Sequence, residues 1–312
     1  MERIPRMRNR RHTENRITVA NLPGDGGPNR FALYSHMFIE DIHSGILGYD
    51  LSEEGKNRRI RVDGDERGTT AVTALCSSLA RGYMHGGKIV ESAVEAVALH
   101  LAWCGEAVYE ICGIGGESLS LAGIPPSHLF RIPGAFVQLI PIQARQWAGG
   151  RRYTYLPARL AWVVSVPREL GGPRSYRKLL NRLTAMSASA PEFWNRDLSE
   201  GKFTPEFPFG DYNRMRTAYI ARITHRWGWN RRDSSGTYDT EFFFFYRGLR
   251  FRRSQALVRD HIVREINRLL ARLRIDARIQ LEGYPSPTEI GDLMDRTLSG
   301  SLHYGEAWRQ SS

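Results

Sequence analysis

Between Ile89 and Trp103 the apolar residues Val90, Val94, Val97, Ala98 and Leu101 recur every three or four positions, which predicts a helix with one buried face. Thr69 to Leu79 reads the same way. The period then changes. In "GEAVYEICGIGGESLSLAGIPP", Ala107, Tyr109 and Ile111 alternate with Glu106, Val108 and Glu110, the pattern of a half-buried strand, and Gly113 to Gly116 turns it into another. "AFVQLIPI", "RRYTYLP" and "LAWVVSVP" are further strands within residues 128–168, kept short by Pro141, Pro157 and Pro167. Short runs bounded by proline point to a small mixed or antiparallel sheet.

Beyond this region helical patterns dominate. In "LGGPRSYRKLLNRLTAM" a Gly171–Gly172 turn and Pro173 open a helix whose apolar face is Tyr176, Leu179, Leu180 and Leu183. Residues 199–213 read as an aromatic-rich loop, followed by a short helix from Asn213 to about Trp227. "EFFFFYRGLRFRRSQ" poses the hardest problem, because five ring-bearing side chains run directly into an arginine cluster. Its first half predicts a strand over Tyr238–Tyr246, apolar on both faces and therefore buried on both. A long helix is expected from Ser254 to Ile275, with Ile262, Ile266, Leu269 and Leu273 on one stripe and Arg264, Arg268 and Arg272 as a ridge on the other side. Ser286, Pro287 and Glu289 carry the signature of a capping box before a last helix that Gly300 stops. The fold class expected is α+β, with small mixed or antiparallel sheet regions and long helices. Residues 1–30 form a basic arm ending in "PGDGGP", 31–170 an α/β region, and 171–312 a mainly helical region with the aromatic strand and the arginine-rich helix.

Charge changes the picture more than composition does. The chain has 312 residues, 41% hydrophobic and 25% charged, as ordinary globular proteins have, but a net charge of +11. Arginine outnumbers lysine 40 to 4. From Arg214 to Arg274 there are fifteen arginines, no lysine and five acids, a net of +10 within one fifth of the chain. Such a concentration favours a polyanionic partner, and backbone contact fits better than base readout because few Asn or Gln residues interleave. The candidate nucleic-acid-binding residues are Arg247, Arg250, Arg252, Arg253, Arg259, Arg264, Arg268 and Arg272. The competing reading is a solvated helix face balanced by acids on neighbouring elements.

Other chemistry finds little support. His100, Cys104 and Cys112 could supply three zinc ligands, but no Cys-x-x-Cys pair or fourth ligand accompanies them. "GIGGES" has Ser118 where a dinucleotide loop has its third glycine, and no P-loop or Gly-x-Ser-x-Gly elbow occurs. No catalytic residue, metal or cofactor is expected. Three cysteines are too few for a disulfide framework, no run of eighteen apolar residues would span a membrane, and the basic N-terminus lacks the apolar segment of a secretory signal. A cytoplasmic setting follows.

The order of motifs resembles the portal proteins of tailed bacteriophages. A helix leads into "GEAVYEI" and then a loop to "LAGIPPSHLFRI". "YLPARLAWVVSVPRELGGPRSYRKLLNRL" resembles the portal strand, glycine turn and helix. "FRRSQALVRDHIVREINRLL" is similar to the helix before the portal C-terminal part, and "SGSLHYGEAW" to the closing turn. The likeness covers Ala93 to Trp308. Departures are the short chain and the absence of histidine in the strand around Trp162. The resemblance implies a portal-like fold, with 31–170 as wing- or clip-like, and a ring of about twelve subunits held by head-to-tail contacts. It also implies a place at a capsid vertex of the virion after assembly in the host cytoplasm. Double-stranded DNA would pass through the ring during packaging and ejection. Further partners would be terminase, capsid and head-tail adaptor proteins, with no membrane and no chemistry of its own. Two other readings stay open: a monomeric or dimeric arginine-rich nucleic-acid-binding protein, and a nuclease assembled from scattered carboxylates.

Overall fold

The computed structural model describes residues 33–47, 58–80, 88–113, 119–125, 128–140, 142, 145, 149–199, 209–232 and 240–311, with side chains for all of these except 187–199 and 209–213. The basic arm expected over 1–30, the "GIGGES" loop after Gly113 and residues 200–208 lie outside the described residues. In chain order the elements are α1 (Leu33–Ser44), β1 (Arg59–Gly64), α2 (Glu66–Leu79), α3 (Ile89–Cys104), β2 (Glu106–Cys112), β3 (Ser120–Ile124), β4 (Leu129–Ile132), β5 (Ala135–Leu139), β6 (Tyr153–Pro157) and β7 (Ala161–Ser165). They continue with α4 (Gly172–Ser199), α5 (Phe209–Ile223), α6 (Glu241–Arg272), β8 (Ala277–Glu282), α7 (Pro287–Leu298) and α8 (Tyr304–Gln310). The class is α+β, with small antiparallel sheets. Among the described residues no helix is long and apolar enough to cross a membrane.

The chain divides into two compact units, each discontinuous in sequence. The first is built from Ile60–Ser165 and Arg264–Gln280, the second from α1, Val166–Val263 and Leu281–Ser312. Helix α6 thus contributes residues to both.

In the first unit β2 is the middle strand of an antiparallel sheet ordered β3-β2-β7. The alternation Ala107, Tyr109, Ile111 predicts a half-buried strand, yet Ala107 through Cys112 are all buried. Both faces are covered. Tyr109 meets His100 of α3 edge-on at 5.4 Å and Trp162 of β7 at 5.2 Å. On the other face lies the row Ile124, Val108 and Val163. Ile124 and Val163 pack with Phe136 of β5 and Leu156 of β6. These last two belong to the second antiparallel sheet, β4-β5-β6. Its outer face is apolar throughout: Phe130 is 53% exposed and Tyr155 54%, and they flank Val137 in one cross-strand row, with Ile132, Leu139 and Tyr153 exposed beside them.

The second unit has an aromatic centre. Phe38 of α1 meets Trp227 at 5.4 Å and Trp229 at 5.2 Å, both close to edge-on, and Tyr176 of α4 packs on Trp227 at 5.3 Å. The Gly171–Gly172 turn opens α4 as expected, with φ of 98° and 67° that L side chains adopt only under strain. The Ser286–Glu289 capping box of α7 forms in full. Helix α1 has no counterpart among the sequence expectations, and the helix expected over Asn213–Trp227 runs instead from Phe209 to Ile223.

One expectation is overturned. The aromatic run is not a strand; Glu241 through Arg272 form one helix of 32 residues. Its start is set by Thr240, whose hydroxyl accepts from the Phe243 N–H at 3.2 Å, with Glu241 in the first turn. Helical spacing uses the rings better than a pleat would. Phe242 stacks on Tyr246 at 5.9 Å, and Phe243 and Tyr246 each lie under the guanidinium four residues on, Arg247 and Arg250. Phe245 and Tyr246 turn toward Trp308 and the cluster around Leu249, Leu293 and Met294, while Phe242 and Phe243 stay partly exposed.

Burial in the first unit also controls protonation. Removal from water pushes the His100 imidazole down to about 4 from 6.5, and its Nε2 has no hydrogen-bond partner among the described residues. A base whose folded pKa is lowered leaves the unfolded chain to take the proton first as pH falls. Stability is therefore full above pH 6.5 and drains away through the window down to about 4. The expected loss is on the order of 3 kcal/mol. Urea unfolding of wild type and of His100→Phe at a series of pH values should show wild type losing stability relative to the variant as pH falls from 6.5 toward 4; a difference that does not change with pH would reject this role.

Candidate nucleic-acid interface

Helix α6 presents all eight candidate arginines, and the fold sorts them into two groups. Arg247 is buried. Its Nε donates to Asn230 Oδ1 at 2.8 Å, Nη1 to the Ala221 carbonyl at 3.1 Å, and Nη2 to Thr224 Oγ1 at 3.1 Å and the Trp229 carbonyl at 2.7 Å. These partners are neutral and belong to the end of α5 and the turn after it. Gly228 makes that turn possible: its φ is 79°, and a Cβ there would stand 2.5 Å from the Arg247 carbonyl oxygen. Arg250 repeats the device at the surface, donating to the His225 carbonyl at 3.1 Å.

Arg252 lies over the Trp308 ring at 3.5 Å and donates to the Trp308 carbonyl at 2.7 Å and to Ser311 Oγ at 2.6 Å. Arg253 is exposed and reaches the Pro287 carbonyl at 3.1 Å, at the first turn of α7. Arg259 is buried against the Tyr284 ring, pairing with Asp260 at 2.8 Å and donating to the Pro285 carbonyl at 2.8 Å. These five residues fasten α6 to α5, α7 and α8, or to the segments beside them.

The remaining three differ. Arg264, Arg268 and Arg272 are exposed and stand four residues apart, as the sequence pattern predicts. Arg268 pairs with Glu265, and Arg272 donates to the Ala161 carbonyl at 3.1 Å. Four residues of helix rise about 6 Å, so the three charges form a line along one side. In the first unit Arg274 and Arg278 are also exposed, and add charge next to it in sequence.

The acids that sequence reasoning sought as counter-charges are mostly not what the buried arginines use; carbonyl oxygens are. Carbonyl partners leave no trace in a count of Asp and Glu. The available signal was the interleaving of rings with arginines at four-residue spacing. A second anchor was missed altogether. Asp41 of α1 accepts from Trp229 Nε1 at 2.7 Å and from Arg232 Nε at 2.8 Å. That carboxylate, together with Glu40, holds the exposed Arg232 guanidinium above its ordinary value.

Among the described residues no three His, Cys, Asp or Glu side chains come together as a metal site. His100 lies against Tyr109 in the first unit. No protein-family model matches this chain, and no curated protein matches it.

The two groups of arginines should separate experimentally. Arg247→Met strands two backbone carbonyls and should lower stability by about 3 kcal/mol, read as an earlier urea midpoint. Arg264→Gln, Arg268→Gln and Arg272→Gln together should leave the midpoint within about 0.5 kcal/mol per site. If the ridge meets DNA, each of the three should reduce the salt slope of duplex binding by about one. An unchanged slope in the triple variant would remove the ridge from the interface.

Proposed function

We propose that this chain is a portal-type subunit, assembling as a ring at a capsid vertex and serving as a conduit for double-stranded DNA. The observation that carries the reading is the agreement between motif order and element order. "GEAVYEI" is the strand β2 directly after a helix. "YLPARLAWVVSVP" supplies β6 and β7, with the glycine turn into α4 after them. "FRRSQALVRDHIVREINRLL" lies within α6, and "GEAW" within α8. The first three stretches adopt the strand, glycine turn and helix that the resemblance implies, whereas "SGSLHYGEAW", expected as a closing turn, enters a helix at Tyr304.

The outer face of β4-β5-β6 supports self-assembly. A three-strand surface of Phe130, Ile132, Leu139, Tyr153 and Tyr155 is larger than the scattered apolar residues of an ordinary surface. A closed ring needs such a surface against a different patch of the next copy. The conduit reading assigns the exposed ridge Arg264, Arg268 and Arg272 to contact with DNA phosphates or with a motor protein, and gives the chain no chemistry of its own. A monomeric arginine-rich nucleic-acid-binding protein is less well supported, because Arg247 and Arg259 of the supposed groove are buried and donate to the chain's own carbonyls.

Mass measurement and negative-stain imaging of the purified protein test the proposal. Rings with a central hole are expected, and Tyr155→Glu with Phe130→Glu should shift them toward single subunits without unfolding them. A stable monomer that binds short oligonucleotides tightly and salt-sensitively would overturn the portal reading.

A further inference from the structure

The apolar outer face of β4-β5-β6 has a charged border and no acid. None of its three strands contains Asp or Glu. Arg151 and Arg152 immediately precede β6, and Arg159 follows it by two residues. All three are exposed, and none has a carboxylate partner among the described residues. Pairing this face with the same face of another copy would gather three arginines from each chain around one contact. Like charges so placed cost affinity. The face therefore suits an apolar patch that brings acids with it.

The second unit carries such a patch. At the start of α6 the neighbouring rings Phe242 and Phe243 are 39% and 40% exposed. Glu241 before them accepts from the Tyr304 hydroxyl at 2.6 Å, a neutral donor that leaves its charge in place, and Phe242 meets the Tyr304 ring edge-on at 6.5 Å. The guanidinium groups of Arg247 and Arg250 are directed elsewhere, donating to the Ala221 and His225 carbonyls. Helix α7 packs on the same stretch of α6 through Leu249, Leu293 and Met294. Its sequence holds three acids and one base, Arg296, the reverse of the balance in the whole chain. Asp292 and Asp295 are exposed without a partner among the described residues, and Leu298 is exposed on the same helix. Exposed rings on both patches pack in the offset or edge-on manner that aromatic pairs prefer, and each patch carries the charge that the other lacks.

We propose that the β4-β5-β6 face of one copy seats the start of α6 and the outer side of α7 of the next copy, with Arg151, Arg152 and Arg159 meeting Glu241, Asp292 and Asp295. The inference rests on the self-association in the portal reading and supplies the second, different patch that a head-to-tail contact requires.

Sedimentation velocity of the full chain over a range of concentrations tests it with two variants. Phe130→Glu with Arg151→Glu removes the face; Phe242→Ser with Asp295→Arg removes the patch. Each alone should weaken assembly by about tenfold or more, the cost of one interface anchor and one like-charge contact. Mixed, the two variants should form a one-to-one pair and go no further, since each copy retains the half that the other has lost. Should Phe242→Ser disturb α6, Asp292→Arg with Asp295→Arg, both at exposed positions, takes its place. Wild-type assemblies that neither variant weakens would overturn this contact and leave the portal reading standing. A patch variant that dimerises by itself, or a mixture that stays monomeric while wild type assembles, would also overturn it. Open chains of wild type that both variants break would keep the contact and count against the closed portal ring. A wild type that stays monomeric throughout would overturn both.

Discussion

The second unit depends on one buried guanidinium. Arg247 gathers Ala221, Thr224, Trp229 and Asn230 onto α6 through four hydrogen bonds, and the same turn delivers Trp227 and Trp229 to Phe38 and Tyr176. A charge taken out of water is tolerated only when its donors are met, and here peptide carbonyls and neutral side chains meet them. Each acceptor is itself buried or half-buried, so the loss of the arginine would leave several polar groups unmatched at once. Gly228 permits the close approach that makes this geometry available.

The same chemistry recurs along α6 with different outcomes. Arginine can lie flat on a ring, donate to a carbonyl or stand in solvent, and the neighbours of each position decide which. Arg252, Arg253 and Arg259 fasten α7, α8 and the loop between β8 and α7, while Arg264, Arg268 and Arg272 remain exposed. The apparent excess of +10 in this part of the chain is therefore partly structural. What faces outward is a short line of charge, suited to sequence-independent contact with phosphates.

The first unit follows another logic. Its core is a sheet covered by helices on one side and by a second sheet on the other, which leaves the outer face of β4-β5-β6 as exposed apolar surface. An unmatched apolar sheet face and a line of surface arginines are what a ring subunit in contact with DNA would need. They give the portal reading physical content beyond motif order.

Local patterns sufficed where a residue's neighbours in sequence are also its neighbours in space. The helices over Thr69–Leu79 and Ile89–Trp103, the short proline-bounded strands, the glycine turn into α4 and the Ser286 capping box are such cases, because caps, turns and four-residue spacing are decided within a few residues. Three features were not legible. The aromatic run reads as a strand when its rings are judged by hydrophobicity alone; contacts of Phe245 with Tyr304 and Trp308, some sixty residues on, favour the helix. Burial of β2 on both faces depends on Phe136 and Leu156 arriving from another sheet. The role of each arginine depends on which distant carbonyl or ring lies within reach. By itself, then, the sequence determined the short-range elements and the total charge. Only the tertiary structure decided which charges are internal fasteners and which face the solvent, since desolvation and hydrogen bonding are set by neighbours that folding brings together.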